Sequence, residues 1–351
     1  MALNKFPLNI THQSISELCA KLGKDALLVQ GAGGNVSWKD NGTLWVKGSG
    51  TWLAHASQED IFVPVDLIHL QNALAQEIFD IKPPLISTQK EQKLRPSIET
   101  ILHALMPQKI VVHLHAIDVL SYLVIKDYKN TIYSLFSKSS ESKQFEYILV
   151  DYHKPGPELA QAIYITLQTN KNANIVLLKN HGIVIGGESI EEIESLLQSM
   201  SAIFAPKQNP KILNDKIESP ASWHPEYLPF ADQKAQALAL NQDLYKRLQS
   251  DWVLYPDHAV FLGAKAFTYP SWKTFDEQEE NNSDKPELIF IENVGIFVKP
   301  NFNQAKTAQL LCYFDVISRV LPSAVLDPLN QSSIQSLLNW DAEKLRQQMA
   351  K

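Results

Sequence analysis

Two short apolar runs lead into histidine, and that coupling limits what the chain can fold into. Ile110-Val111-Val112 opens onto His113-Leu114-His115, and Ile175-Val176-Leu177-Leu178 leads through Lys179 to Asn180-His181-Gly182. Strand residues two apart point to the same face, so His113 and His115 aim at one point. Gly182 marks where a chain leaves a sheet and side chains become accessible, which places His181 at the end of its strand. A sheet with a cleft at its strand ends brings the three imidazoles together.

A fourth group joins them. Ser97 after Pro96 reads as a helix N-cap, with Ile98, Ile101, Leu102 and Leu105 at i, i+3, i+4 and i+7 as its buried stripe. Glu99 then lies in the first turn beside that stripe. His-x-His alone is a weak signal, and a lone histidine is more often hydrogen-bonded or superficial than a ligand. The combination of Glu99, His113, His115 and His181 reads as one divalent-metal site. Imidazole with carboxylate suits zinc best, and manganese, iron, cobalt or nickel also fit. His103 lies four residues after Glu99 on the same helix face and either orients the glutamate or only packs, so it stays outside the site. Cys19 and Cys312 are too far apart in sequence for a zinc knuckle.

With 351 residues, 45% of them apolar, the chain can bury a large core, and two domains are expected. A net charge of −6 gives no electrostatic reason to expect nucleic acid or an anionic membrane as partner. No apolar run reaches the length of a membrane span, the first seven residues lack the core of a signal peptide, and two cysteines exclude a disulfide scaffold. A cytoplasmic location is the expectation.

Helix and strand patterns intermingle over residues 1–205, giving an α/β layered domain. Helices are expected from Thr11 to Gly23, Val65 to Phe79, Pro157 to Thr169 and Ser189 to Phe204. Turn-linked strands fill residues 27–63, a polar loop spans Ser137–Lys143, and a strand covers Tyr147–Val150. Five prolines within 206–229 have the composition of a linker. Residues 230–351 read as a smaller α/β domain with a helix over Asp232–Leu248, a strand over Trp252–Leu262 and an exposed acidic loop over Asp276–Asp284. Ile175–Ile185 can be laid on Leu288–Val298, with Val294 in the place of His181, and Pro256-Asp257-His258-Ala259 echoes Leu114-His115-Ala116. Either the chain carries a degenerate half-repeat or two buried strands share an Asn-x-Gly turn by coincidence. A true second copy would hold no metal and would serve packing, assembly or covering of the cleft.

Gly31-Ala32-Gly33-Gly34-Asn35-Val36-Ser37 and Lys47-Gly48-Ser49-Gly50-Thr51 offer backbone N–H groups and neutral side-chain donors to an anion, and a Ser97 at a helix start would add a helix dipole. Taken alone such segments mark turns; beside a metal site they suit a phosphate monoester. No nucleotide-binding G-x-G-x-x-G or Walker motif is present, and no organic cofactor is expected.

Five motifs in order, Gly34-Asn35-Val36-Ser37, Lys47-Gly48-Ser49-Gly50, Pro96-Ser97-Ile98-Glu99, His113-Leu114-His115-Ala116 and Asn180-His181-Gly182, resemble the class II aldolase/adducin head-domain family over roughly residues 10–205. The resemblance implies a layered α/β/α domain and zinc ligation by His113, His115 and His181. It implies that Glu99 both ligates and works as acid/base, and that Asn35, Ser49, Gly50 and Ser97 hold substrate phosphate. It also implies a homotetramer whose proton donor is a tyrosine of the neighbouring subunit. Tyr133 and Tyr152 lie in that region, in a stretch that departs from the family pattern. The segment 230–351 looks like the extra portion of longer, rhamnulose-aldolase-like members, with no nucleotide-binding dehydrogenase following it here. The implied activity is cleavage or formation of a C–C bond between a ketose phosphate and an aldehyde through a metal-stabilised enediolate. Epimerisation or dehydration on the same site, or a non-enzymatic adducin-like interaction module, are the alternatives.

Overall fold

The computed structural model describes residues 11–86, 94–205 and 224–349. Most of the proline-rich stretch and the first ten residues lie outside them. The described chain divides into two compact units, one of residues 11–123 with 128–205 and one of residues 124–127 with 224–349.

The first unit opens with α1 (His12–Gly23), where the Thr11 and Ser14 side chains cap each other's backbone N–H and Ile15, Leu18, Cys19 and Leu22 are buried. Strands β1 (Asn35–Asp40), β2 (Thr43–Lys47) and β3 (Phe62–Asp66) form an antiparallel meander. They are followed by α2 (Leu67–Ala75), α3 (Thr100–Leu105), β4 (Ile110–Leu114), α4 (Ile117–Leu123), α5 (Tyr128–Lys138), β5 (Tyr147–Val150), α6 (Pro157–Leu167), β6 (Ile175–Leu178), β7 (Gly182–Gly187) and α7 (Ile190–Ile203). One seven-stranded sheet results, ordered β3-β2-β1-β4-β7-β6-β5, antiparallel except for the β5/β6 pair. Val111, Val176 and Val184 point to one face and pack with Leu102 of α3 and Leu159 and Ile163 of α6. Helices α4 and α7 pack on β7. The layering expected from the sequence is therefore present.

Several boundaries differ from the sequence reading. Val65 and Asp66 belong to β3, because Val65 pairs with Leu44 in the sheet, and Asp66 instead caps α2 by accepting the His69 N–H. That helix ends by Ala75, and Glu77 follows at φ 58°. Ser97 is not the N-cap of α3. Glu99 takes that place, while the Ser97 carbonyl accepts both the N–H and the O–H of Thr100 in a turn that precedes the helix. Helix α5 runs to Lys138 and a short 3-10 turn covers Glu141–Gln144, where a polar loop was expected, since the Ser142 hydroxyl donates back to the Phe136 carbonyl.

The second unit contains β8 (Leu228–Pro229), α8 (Ala237–Leu240), α9 (Gln242–Ser250), α10 (Pro256–Leu262), β9 (Thr268–Tyr269), α11 (Trp272–Glu279), β10 (Leu288–Ile291), β11 (Gly295–Val298), α12 (Gln304–Arg319), α13 (Gln331–Leu338) and α14 (Asp341–Met349). The single helix expected over Asp232–Leu248 is broken at Asn241, whose extended backbone (φ −95°, ψ 120°) lets its side chain cap α9. Where a strand was expected over Trp252–Leu262 there is helix α10. Val253 at φ 61° interrupts the extended run, and Pro256 sits in the first helical turn, where its missing N–H costs nothing. The acidic stretch begins on α11, held by buried Phe275 and capped by Ser271, and only its last residues form an exposed turn.

The second sheet, β8-β11-β10-β9, repeats the order and sense of β4-β7-β6-β5: antiparallel, antiparallel, parallel. The register repeats too. Leu178 pairs with Gly182 across Lys179-Asn180-His181, and Ile291 pairs with Gly295 across Glu292-Asn293-Val294. Asn180 and Asn293 have φ of 53° and 56°. His113 pairs with Val184, and at the matching place Pro229 pairs with Phe297. Pro229, Ala231 two residues on, and Val294 thus stand where His113, His115 and His181 stand in the first unit. The echo expected at Pro256–Ala259 is not the counterpart of His115, because those residues start α10.

Candidate metal centre

Strand β4 delivers His113, and His115 follows just beyond the strand end on the same side. His181 occupies the turn between β6 and β7, where Asn180 takes the left-handed conformation that asparagine tolerates. One ring nitrogen from each of the three histidines lies within 4.8 Å of the others. All three are buried, at 0%, 6% and 4% exposure for His113, His115 and His181.

Two glycines allow this convergence. A Cβ on Gly182 would lie 2.2 Å from the Leu114 carbonyl oxygen, and one on Gly34, at φ +61°, would lie 2.9 Å from the His113 carbonyl oxygen. Only glycine lets the ends of β1 and β7 approach the β4 backbone this closely.

Glu99 lies beside two of the three histidines. Its Oε2 is 3.5 Å from His113 Nε2, and its Oε1 is 3.3 Å from His181 Nε2. Oε2 accepts a hydrogen bond from Asn35 Nδ2 at 2.9 Å, while buried Oε1 accepts none. Burial alone would raise the glutamate pKa, but His113 and His181, then the Asn35 hydrogen bond and His115, outweigh it and hold the carboxyl at about 2. His113 Nδ1 lies 3.1 Å from the Ile183 carbonyl, which can only accept, so Nδ1 carries a proton and Nε2 is the nitrogen turned to the cleft. Ligands held about 2 Å from a tetrahedral ion stand roughly 3.3 Å apart, close to the separations between Glu99 and the two imidazoles. Three imidazoles and a carboxylate with a vacant acceptor oxygen fit a divalent cation.

The anion-binding residues expected from the sequence lie beside this group in part. Asn35 pairs with His113 across β1 and β4, and its Nδ2 also reaches Ser97 Oγ at 3.3 Å. Ser97 Oγ accepts the Glu99 N–H at 3.2 Å, which leaves the Ser97 hydroxyl proton to donate elsewhere. Ser49 and Gly50 are brought to the same region by backbone pairing: the Ser49 N–H donates to the Arg95 carbonyl and the Ser97 N–H to the Lys47 carbonyl. The N–H groups of Gly33, Gly48 and Ser49 donate to backbone carbonyls, so these three are not offered to an anion. Tyr133 is half exposed on α5, and the Tyr152 hydroxyl is buried. Sequence reading passed over buried Lys47, whose Nζ donates to the Ala32 carbonyl at 3.0 Å and ties the glycine segment to β2. A lysine in a mainly apolar strand run was the signal for it.

The family model of the class II aldolase and adducin N-terminal domain matches residues 13–204. "Uncharacterized oxidoreductase YuxG" of Bacillus subtilis (strain 168) is 29% identical over 184 residues, a match covering 48% of this chain and 25% of that protein. The chain thus spans about a quarter of the length of that curated relative. Among solved structures, the N-terminal class II aldolase domain of a conserved protein from Thermoplasma acidophilum is 22% identical, covering 58% of this chain and 95% of that one at a TM-score of 0.43. A sugar-phosphate aldolase from Thermotoga maritima is 14% identical, covering 55% and 91% at a TM-score of 0.43. Through the family match over residues 13–204, the chain belongs to the class II aldolase and adducin N-terminal domain family.

Proposed function

We propose that the protein is a metal-dependent lyase that makes or breaks a C–C bond in a ketose phosphate. His113, His115, His181 and Glu99 would hold one divalent ion, zinc foremost. The reading rests on the convergence of three buried imidazoles, two of them within 3.5 Å of a carboxylate whose Oε1 accepts no hydrogen bond. When bound, the ion supplies Lewis-acid polarisation of the ketose carbonyl and stabilises the charge left by C–C cleavage.

The chain's own groups do the rest. Glu99, ionised at neutral pH and facing the cleft through Oε1, takes a proton from the substrate and returns it at carbon. Ser97 donates its hydroxyl proton to a phosphate oxygen, Ser49 and Gly50 line the same cradle, and Asn35 backs it. Burial of Glu99 and the three histidines keeps bulk water from competing for the carbanionic product. Assembly as a homo-oligomer, a tetramer by family resemblance, is part of the same proposal.

The test is condensation of dihydroxyacetone phosphate with a panel of short aldehydes, with and without chelator, analysed by product mass and chirality. The proposal expects a chelator-sensitive C–C product that the His113→Ala/His115→Ala double variant does not form. Undiminished activity in that variant refutes the role of the ion. Epimerised or dehydrated product reassigns the reaction on the same site. A protein without turnover that takes up no metal is an interaction module.

A further inference from the structure

His103 is fully buried on α3 and is not a member of the ligand cluster. Its ring bridges two residues of β1. Nδ1 lies 2.7 Å from Ser37 Oγ, and Nε2 contacts Asn35 Oδ1. Asn35 in turn donates to Glu99 Oε2 and Ser97 Oγ.

The polarity of this chain is set from its charged end. An ionised carboxylate only accepts, so Asn35 must present its NH2 to Glu99 and its Oδ1 to His103. A carbonyl oxygen also only accepts, so His103 Nε2 carries the ring proton and Nδ1 accepts from the Ser37 hydroxyl. Every link then has one donor and one acceptor. An Asn35 amide turned over would put its oxygen against the Glu99 carboxylate and its NH2 against the His103 N–H, unfavourable at both ends. Deep burial keeps the His103 ring neutral, its pKa lowered to about 3 by desolvation first and then by His113.

We infer that His103 is a positioning residue: anchored by Ser37, it holds the Asn35 amide in the one orientation that turns N–H groups toward Glu99 and Ser97, and so aims the glutamate carboxylate at the histidine cluster. The inference deepens the metal-site reading and rests on it for its consequence in metal binding.

Zinc affinity of the 351-residue chain, measured by competition with a chromogenic chelator, tests it. His103→Phe and Asn35→Ala are each expected to weaken zinc binding about 10- to 100-fold, the usual effect of removing a group that orients a ligand. Because His103 acts through Asn35, the double variant should bind zinc no more weakly than Asn35→Ala alone. His103→Gln, which can still offer an N–H to Asn35, should recover part of the loss. Parent-like affinity in His103→Phe, or losses that multiply in the double variant, would overturn the inference. Should His103→Phe fail to fold, His103→Gln and Ser37→Ala carry the same comparison. A second readout needs no metal: the 15N-histidine spectrum of the apoprotein should show His103 as the Nε2–H tautomer, and the Nδ1–H tautomer or a mixture overturns the chain. If the parent binds no zinc, the metal-site reading fails while this spectrum still decides the role of His103.

Discussion

Glu99 places a carboxylate where only 7% of the residue is exposed, a position that would be strongly unfavourable without partners. It has them in His113, His181 and Asn35, and that surround separates it from an ordinary buried glutamate. Glu99→Gln keeps the shape and removes the charge. Turnover in the condensation assay is expected to fall by roughly 100-fold or more, with zinc bound about 10- to 100-fold more weakly. Retention of parental kcat would remove Glu99 from the chemistry. Gly182 tests the frame rather than the ligands. In Gly182→Ala the new methyl meets the Leu114 carbonyl, which lies one residue from His113 and from His115, so β4 and β7 must separate. A loss of about 2–4 kcal/mol in denaturant unfolding is expected, together with weaker metal uptake.

At the scale of elements, the strand-turn-strand of β6 and β7 is the unit the chain uses twice, and only the first use carries a histidine. Val294→His restores one imidazole to β10/β11, but Pro229 and Ala231 still occupy the other two ligand positions. The variant is therefore expected to bind the same number of zinc ions per chain as the parent, by metal analysis after dialysis. A second equivalent would show that the turn alone suffices. The histidine pair was legible because period two in an apolar run leaves little choice of face, and the Asn180–Gly182 turn was legible from its residues. The start of α3 was not: Pro96-Ser97 has the composition of a cap, and the local turn closed by Thr100 decides otherwise. The run Trp252–Leu262 is too short and too apolar for periodicity to separate strand from helix, and Pro256 was the signal that went unweighted. The full extent of the shared topology was hidden because β8 is two residues long and carries none of the ligand residues that made β4 conspicuous.

Across the whole molecule, each unit buries one neutral histidine outside the ligand cluster, His103 in the first and His258 in the second. Both have pKa values lowered to about 3, chiefly by desolvation. His258 packs edge-on against Trp252 and Tyr313, and Nδ1 accepts the Leu254 N–H. The sign follows from linkage. Between pH 6.5 and about 3 the unfolded chain binds the proton and the folded unit does not, so stability is complete above 6.5 and falls as pH drops. Each histidine contributes a slope approaching roughly 1.4 kcal/mol per pH unit within that window. Urea unfolding of the second unit followed by tryptophan fluorescence should show a shallower acid slope in His258→Phe than in the parent, and equal slopes would mean His258 is protonated in the fold. No helix among the described residues is long and apolar enough to cross a membrane.

The claim on which the account turns is that one ion sits among His113, His115, His181 and Glu99. Zinc K-edge absorption spectroscopy on the purified, zinc-loaded protein, with metal quantified per chain, tests it directly. The account predicts one zinc per chain in a shell of three imidazole nitrogens near 2.0–2.1 Å and at least one oxygen, lost in the His113→Ala/His115→Ala variant. A sulfur-containing shell, or zinc retained undiminished by that variant, would contradict it.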